Sequence, residues 1–252
     1  CNALTKQIKR YTLGSTRVAS VVVNEGSQFG DIVAANAYKR DANGNVLVGT
    51  DGLPLKETDK VIGNMMPKWT GSIGNTITWR DFSLTALVDM LYGGDFISMT
   101  DAYATTAGNS KRSLSGRDGM VFDGIVESTG QKNTTSVTAE TFYNSIGGSS
   151  AVAEEFMYKR TYIKMGELAL GWTLPKKWLS QTPLKAVKLS LVARNLFYFY
   201  KKAPVSAESS FSREDYAQAF EYSSLPPTRA IGFSHNVKFL NKKTTMKQFN
   251  KF

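Results

Sequence analysis

The sequence predicts an all-β protein whose strands form an antiparallel transmembrane β-barrel wall with long extracellular loops. Three observations lead there. Apolar and polar residues alternate with period two in strand-length segments, while helical periodicity is nearly absent. Aromatic residues cluster near the ends of those segments. The connections between them alternate short and long.

Composition agrees. Of 252 residues, 42% are apolar and 12% aromatic, with 21 glycines. No run approaches the roughly 20 apolar residues of a transmembrane helix, whereas a tilted transmembrane strand needs only about 9–11. The longest apolar stretches, Val18–Val23 and Leu196–Tyr200, are strand-sized. The net charge of +10 is scattered through turns and loops, with one cluster in the tail Leu240–Phe252. No helix-turn-helix, finger or aromatic RNA-binding pattern accompanies it, so no nucleic-acid partner is expected. The chain opens without the apolar core of a signal peptide. Cys1, the single cysteine, is read as a fragment boundary rather than a lipoprotein's acylated residue.

In chain order, Arg17–Val23 reads as a strand, Glu25–Gly30 as a turn and Ile32–Arg40 as a second strand. Asp41–Asn45 is a hairpin turn, because Asn43-Gly44 readily supplies positive φ. Its spaced oxygens resemble the start of a calcium loop, but Val46 stands where such a loop needs glycine and the bidentate acid is missing. Asp51–Pro54 is a further turn. Ile73, Ile77 and Trp79 then share one face opposite Ser72, Gly74, Thr76 and Thr78. Arg80-Asp81 turns the chain, and Phe82, Leu84, Ala86, Val88 and Met90 continue the apolar face. After the long connection Met99–Lys159, the alternation returns in Leu168, Leu170, Trp172 and Leu174. It resumes across the turn Pro175–Pro183 in Val187, Leu189, Leu191 and Ala193. A second long connection, Lys201–Pro227, precedes the last strand, with Ile231, Phe233, Val237 and Phe239 on one face.

Alternation alone leaves two architectures open. In a soluble sandwich the apolar face turns into a core; in an outer-membrane barrel it meets lipid while small and polar residues line the lumen. The aromatics at Trp79/Phe82, Trp172/Trp178 and Phe197–Tyr200, and the unequal connections, favour the barrel. The alternative is a soluble β-rich carbohydrate-binding or adhesion module.

Several strings, in order, resemble one family. They are Arg40-Asp-Ala-Asn-Gly-Asn45, Ile62-Gly-Asn64, Pro67-Lys-Trp-Thr-Gly71, Tyr92-Gly-Gly-Asp95, Gly116-Arg-Asp-Gly119 with Asp123-Gly124, and Tyr162–Pro175. Ala193-Arg-Asn-Leu196, Pro226-Pro-Thr-Arg229 and Asn236-Val-Lys-Phe239 complete the series. From about Val22 to Phe239 the chain resembles the C-terminal region of SusC/RagA-type TonB-dependent transporters of Bacteroidota. The resemblance implies an outer-membrane importer of glycans, peptides or similar nutrients. Its implied partners are a SusD-like surface lipoprotein, TonB-ExbB-ExbD acting through N-terminal parts not present here, outer-membrane lipid, and an oligosaccharide or peptide substrate. The implied division is 1–60 for plug- or lumen-proximal strands and turns, 61–239 for C-terminal barrel strands with loops 99–159 and 201–227, and 240–252 for a basic tail. Some six to eight strands can be counted, fewer than the family's barrels carry.

Catalysis finds little support. His235 is the only histidine, which excludes a histidine-based triad or a multi-histidine metal site. By alternation it falls on the outward face near a strand end. No catalytic residue, cofactor or metal is expected. Asp89, Asp95, Glu167, Lys188 and Arg194 fall on inward faces or strand mouths, as lumen lining or as a solvated, salt-bridged wall. The connection 99–159 carries Tyr103, Arg112, Arg117, Asp118, Asp123, Phe142 and Tyr143, and 201–227 carries Phe211, Tyr216, Phe220 and Tyr222, aromatics among polar residues. Such aromatics stack on sugars, dock a lid, or pack the loops on one another. The contact candidates are Asp89, Asp95, Tyr103, Arg117, Arg194, Tyr216 and Tyr222.

Overall fold

The structure, a computed structural model, describes residues 10–239. Its strands begin with β1 (Arg10–Ser15), β2 (Ala19–Asn24), β3 (Asp31–Ala34), β4 (Ala37–Tyr38), β5 (Leu47–Val48), β6 (Lys56–Glu57) and β7 (Lys60–Asn64). The long hairpin β8 (Pro67–Trp79) and β9 (Phe82–Gly93) follows, then β10 (Asp95–Ser98) running into helix α1 (Met99–Thr106). Beyond it come β11 (Ile125–Val126), α2 (Ala139–Ile146), β12 (Met157–Lys159), β13 (Tyr162–Thr173) and α3 (Lys176–Leu179). The chain ends on β14 (Leu184–Arg194), β15 (Tyr198–Lys201), β16 (Phe220–Glu221) and β17 (Ala230–Phe239). The tail after 239 lies outside the described residues. Two compact units divide the chain: one of residues up to 70, 91–162 and 200–227, the other of 71–90, 163–199 and 228 onward.

The second unit is built on a sheet of order β17-β14-β13-β9-β8, with β15 beside β13. Its registers place the apolar positions opposite one another, as the alternation requires. Trp172 faces Leu189 and Leu170 faces Leu191 across β13 and β14. On the other side of β14, Leu189 faces His235, Leu191 faces Phe233 and Ala193 faces Ile231. His235 is therefore on the apolar face, as expected. The opposite face pairs Gly171 with Ser190 and Ser190 with Ser234. At the Arg80-Asp81 turn, Arg80 takes a φ of +53°. The ring of Phe82 stacks on Trp172, and Trp178 meets Trp172 edge-on at 5.6 Å.

These apolar side chains do not converge on a core. Ile73 is 64% exposed, Leu84 42%, Leu170 50%, Leu189 42% and Phe233 89%. A soluble module would have to bury them, since leaving each in water forgoes about 1.5–3 kcal/mol. An outward apolar face is instead what a strand bordered by hydrocarbon presents.

The first unit has a dry core. Val18, Val21, Ile32, Ile97 and Phe156 are fully buried and Phe220 nearly so. A second cluster gathers Tyr38, Phe142, Tyr143, Ile146 and Val152. Its sheets run β1-β2-β3-β7 and β12-β10-β16. Two short pairings outside the long hairpins, β10 with β16 and β5 with β11, are parallel. The two long connections are folded and carry helices that period-two reading does not anticipate. α2, for example, is capped by Thr138 accepting from the Thr141 N–H, and it buries Phe142, Tyr143 and Ile146. At eight residues it is too short for its periodicity to stand out. The Asp41–Asn45 turn forms as expected, with Gly44 at φ +87°. Asp41 Oδ1 accepts from the Asn43 and Asn45 N–H groups and Oδ2 from Asn45 Nδ2. These bonds, the Asn45 side chain foremost, hold its carboxyl below the usual range.

Candidate functional site

Four aromatic residues of the two long connections, Tyr103, Phe211, Phe220 and Tyr222, meet in one apolar cleft of about 360 Å³ in the first unit. β10 feeds directly into α1, and the Ser98 side chain caps the helix by accepting from the Asp101 N–H. Met99 and Tyr103 stand four residues apart and so share a helix face, which lines the cleft with Arg17 and Val18. β16 lies parallel to β10 with Ser98 opposite Glu221. Phe220 and Tyr222, flanking Glu221, also line the cleft, as does Phe211. The rings touch edge-on, Tyr103 to Tyr222 at 5.6 Å and Phe211 to Tyr222 at 6.1 Å.

What holds these pieces together is polar and mostly buried. Glu221, only 2% exposed, accepts from Ser98 Oγ and Thr100 Oγ1, each at 2.7 Å, and from the Ser224 N–H. Ser223 N–H donates in turn to Thr100 Oγ1. The connection 201–227 is thus tied to the first turn of α1. Farther along α1, Tyr158 donates to Asp101 Oδ2 at 2.6 Å while Arg112 Nη2 donates to the Tyr158 hydroxyl at 3.0 Å. Arg112 also pairs with Glu155, whose other oxygen accepts from Tyr38, and its guanidinium lies 4.9 Å over the Phe156 ring. Burial, reinforced by the bond to Asp101, pushes the Tyr158 phenol up to about 12. Burial, followed by the negative charge and hydrogen bond of Glu155, raises Tyr38 as well.

Of the seven contact candidates, the structure brings Tyr103 and Tyr222 together, 40% and 43% exposed at the cleft. Tyr216 is half-buried and packs on the core, with the backbone of Gly14 against its ring. Arg117 borders a separate polar cleft of about 540 Å³ between the end of α1 and the start of α2, with Thr105, Thr138, Glu140 and Tyr143. Asp95 is 6% exposed, accepts from the Asn64 N–H and forms an ion pair with Lys159 at 2.6 Å. In the second unit, Asp89 lies against Gly166, where an added Cβ would collide with its carboxylate. Arg194 donates through Nε to Glu167 at 2.8 Å. Glu221 and Tyr158 carry no signal in the sequence, and Arg112 stands out only as one loop residue among several. Their partners Ser98, Asp101 and, for Arg112, Glu155 lie 123, 57 and 43 positions away respectively, beyond any local spacing rule.

No protein-family model matches the sequence. The chain is 21% identical over 225 residues to TonB-dependent receptor P3 of Formosa agariphila, covering 86% of this chain and 21% of that protein. Among solved structures it resembles the RagAB peptide importer in its closed-closed state, with 14% identity and a TM-score of 0.53. The open-open state of that importer gives 15% identity and a TM-score of 0.54. Each covers 91% of this chain and 24% of the other. The chain therefore spans about a fifth of the curated relative and about a quarter of the solved chains.

Proposed function

We propose, starting from a chain with the fold of a portion of a SusC/RagA-type TonB-dependent transporter, that it builds part of the wall and outer face of a nutrient importer. Its place is the outer membrane, and its relatives are transporters and not enzymes. The observation that carries the reading is the outward apolar face. β8, β9, β13, β14 and β17 are 13, 12, 12, 11 and 10 residues long. Each matches or exceeds the roughly 9–11 residues that a tilted strand needs to cross hydrocarbon. Their apolar positions stay uncovered (Ile73, Leu170 and Phe233 are at least half exposed) while small residues occupy the other face.

In this reading the cleft of the first unit offers Tyr103, Phe211 and Tyr222 to the nutrient, a glycan or a peptide, or to a SusD-like lipoprotein acting as a lid. RagAB itself is a peptide importer. Aromatic rings around an apolar cleft support contact with either cargo, since both sugar rings and apolar side chains pack on them. TonB-ExbB-ExbD would act through parts of the transporter that this chain does not include. The test is uptake by the intact transporter carrying Tyr103→Ala and Tyr222→Ala together. Surface level is expected to stay unchanged and uptake, or co-purification of the lipoprotein, to fall at least about tenfold, as loss of two aromatic anchors would give. Unchanged uptake and unchanged partner capture would remove the cleft from the transport path.

A further inference from the structure

A third cleft in the first unit gathers several basic side chains, where the aromatic cleft has Arg17 alone. It holds about 300 Å³ and is lined by three lysines, Lys68, Lys159 and Lys202, with Tyr92, Tyr200 and Gln28. The motif Tyr92-Gly-Gly-Asp95 builds it. Gly93 and Gly94 take φ of +82° and +76° in succession, which turns the chain from β9 into β10 with no intervening loop. A Cβ on Gly93 would stand 2.9 Å from Lys68 Cγ, and one on Gly94 2.9 Å from the Met65 carbonyl oxygen, so close approach requires glycine at both. Asp95, only 6% exposed, lines the cleft as well, and its charge is taken up by the ion pair with Lys159. Lys68 lies 5.9 Å over the Tyr92 ring, whose far neighbour is Trp69. Among the described residues, neither Lys68 nor Lys202 is within salt-bridge reach of a carboxylate. Two ammonium groups without counter-charge thus share one cleft. Such a surface concentrates anions, because like charges around a recess focus the field there.

We propose that this cleft binds the acidic groups of an anionic oligosaccharide, carboxylate or sulfate ester, as a subsite on the path of the importer's cargo. Tyr200, 42% exposed and without a ring partner among the described residues, supplies a face for a sugar ring. The Thr161 hydroxyl accepts from the Gly93 N–H and keeps its own proton to donate, and Gln28 lines the same cleft. Lysines for the charge, hydroxyl and amide for ring hydroxyls, and an aromatic face together match an acidic sugar better than an acidic peptide. A place on the cargo's path rests on the importer reading; the binding itself does not.

The test is calorimetric titration of the purified intact transporter with an oligogalacturonate, with an uncharged malto-oligosaccharide, with poly-glutamate and with inorganic sulfate. The oligogalacturonate is expected to bind and to weaken as salt rises. Lys68→Gln with Lys202→Gln should lower its affinity by at least about tenfold, the scale of losing two cation contacts. Both lysines are exposed, so the variant folds; a melting temperature equal to that of the parent checks this. Equal affinity in parent and variant, or equal binding of the uncharged sugar, overturns the proposal. Tighter binding of poly-glutamate assigns the cleft to peptides, and full displacement by sulfate reduces it to a simple anion site; either result also overturns it. Because titration needs no transport, a failure here leaves the importer reading standing. Intact binding without uptake counts against that reading alone.

Discussion

At Gly93 a single hydrogen atom in place of a methyl group decides whether β9 can pass into β10. Its φ of +82° and the 2.9 Å approach to Lys68 Cγ leave no room for Gly93→Ala, which is expected to cost about 1–3 kcal/mol. A drop in melting temperature of the purified protein checks this. Arg112 acts at the same scale. It is 27% exposed and ties Glu155, Asp101 and Tyr158 together. Arg112→Met keeps bulk against Phe156 but leaves two acids without their cation, a loss of about 2–4 kcal/mol. Arg112→Lys is expected not to rescue it, since an ammonium cannot spread to the same three partners. The Tyr158 phenol gives a pH signature. Its folded pKa of about 12 lies above the ordinary 10, so the neutral form is favoured in the folded state. That contribution is complete below pH 10 and is lost as pH rises toward 12. The melting temperature should fall across that window, and Tyr158→Phe should flatten the fall.

At the scale of elements, the hairpins were legible and the long connections were not. The alternation of Ile73, Ile77 and Trp79, then Phe82 and Leu84, states a period of two without ambiguity, and the pairing of Leu170 with Leu191 and Leu191 with Phe233 follows from it. The Asp41–Asn45 turn was legible because its chemistry is local. In 99–159 the decisive contacts are not local. Thr100 meets Glu221 121 positions away, and two-turn helices such as α2 bury a face too short to announce itself. So the candidate aromatics could be named from sequence, but only the fold says that Tyr103 and Tyr222 touch while Tyr216 packs on the core. The faces of the hairpin also differ in what they tolerate. Ile73→Lys near the middle of β8 is expected to cost about 2–4 kcal/mol in the membrane, against about 0.5 kcal/mol or less for Ser72→Lys on the other face. Denaturant unfolding in lipid vesicles, followed by the gel shift of folded barrel, separates the two.

At the scale of the whole molecule, the sheet of the second unit leaves β8 and β17 with no further partner among the described residues. Exposed edges of that length are not left open in a working membrane protein, because unpaired backbone groups in hydrocarbon cost several kcal/mol each. A closed wall therefore requires further strands, consistent with a chain covering 24% of the RagAB chains it resembles. Such a wall also requires that the two sheet faces see different media. Cysteines placed singly at Ile73, Leu170 and Phe233 and at Ser72, Gly171 and Ser234, in the intact transporter with Cys1 replaced by serine, can carry an environment-sensitive fluorophore in lipid vesicles. The first three should emit as in hydrocarbon and be quenched by lipid-borne spin labels, and the second three only by a water-soluble quencher. Aqueous emission from Ile73, Leu170 and Phe233, or lipid quenching at all six, would contradict the barrel wall and the function built on it.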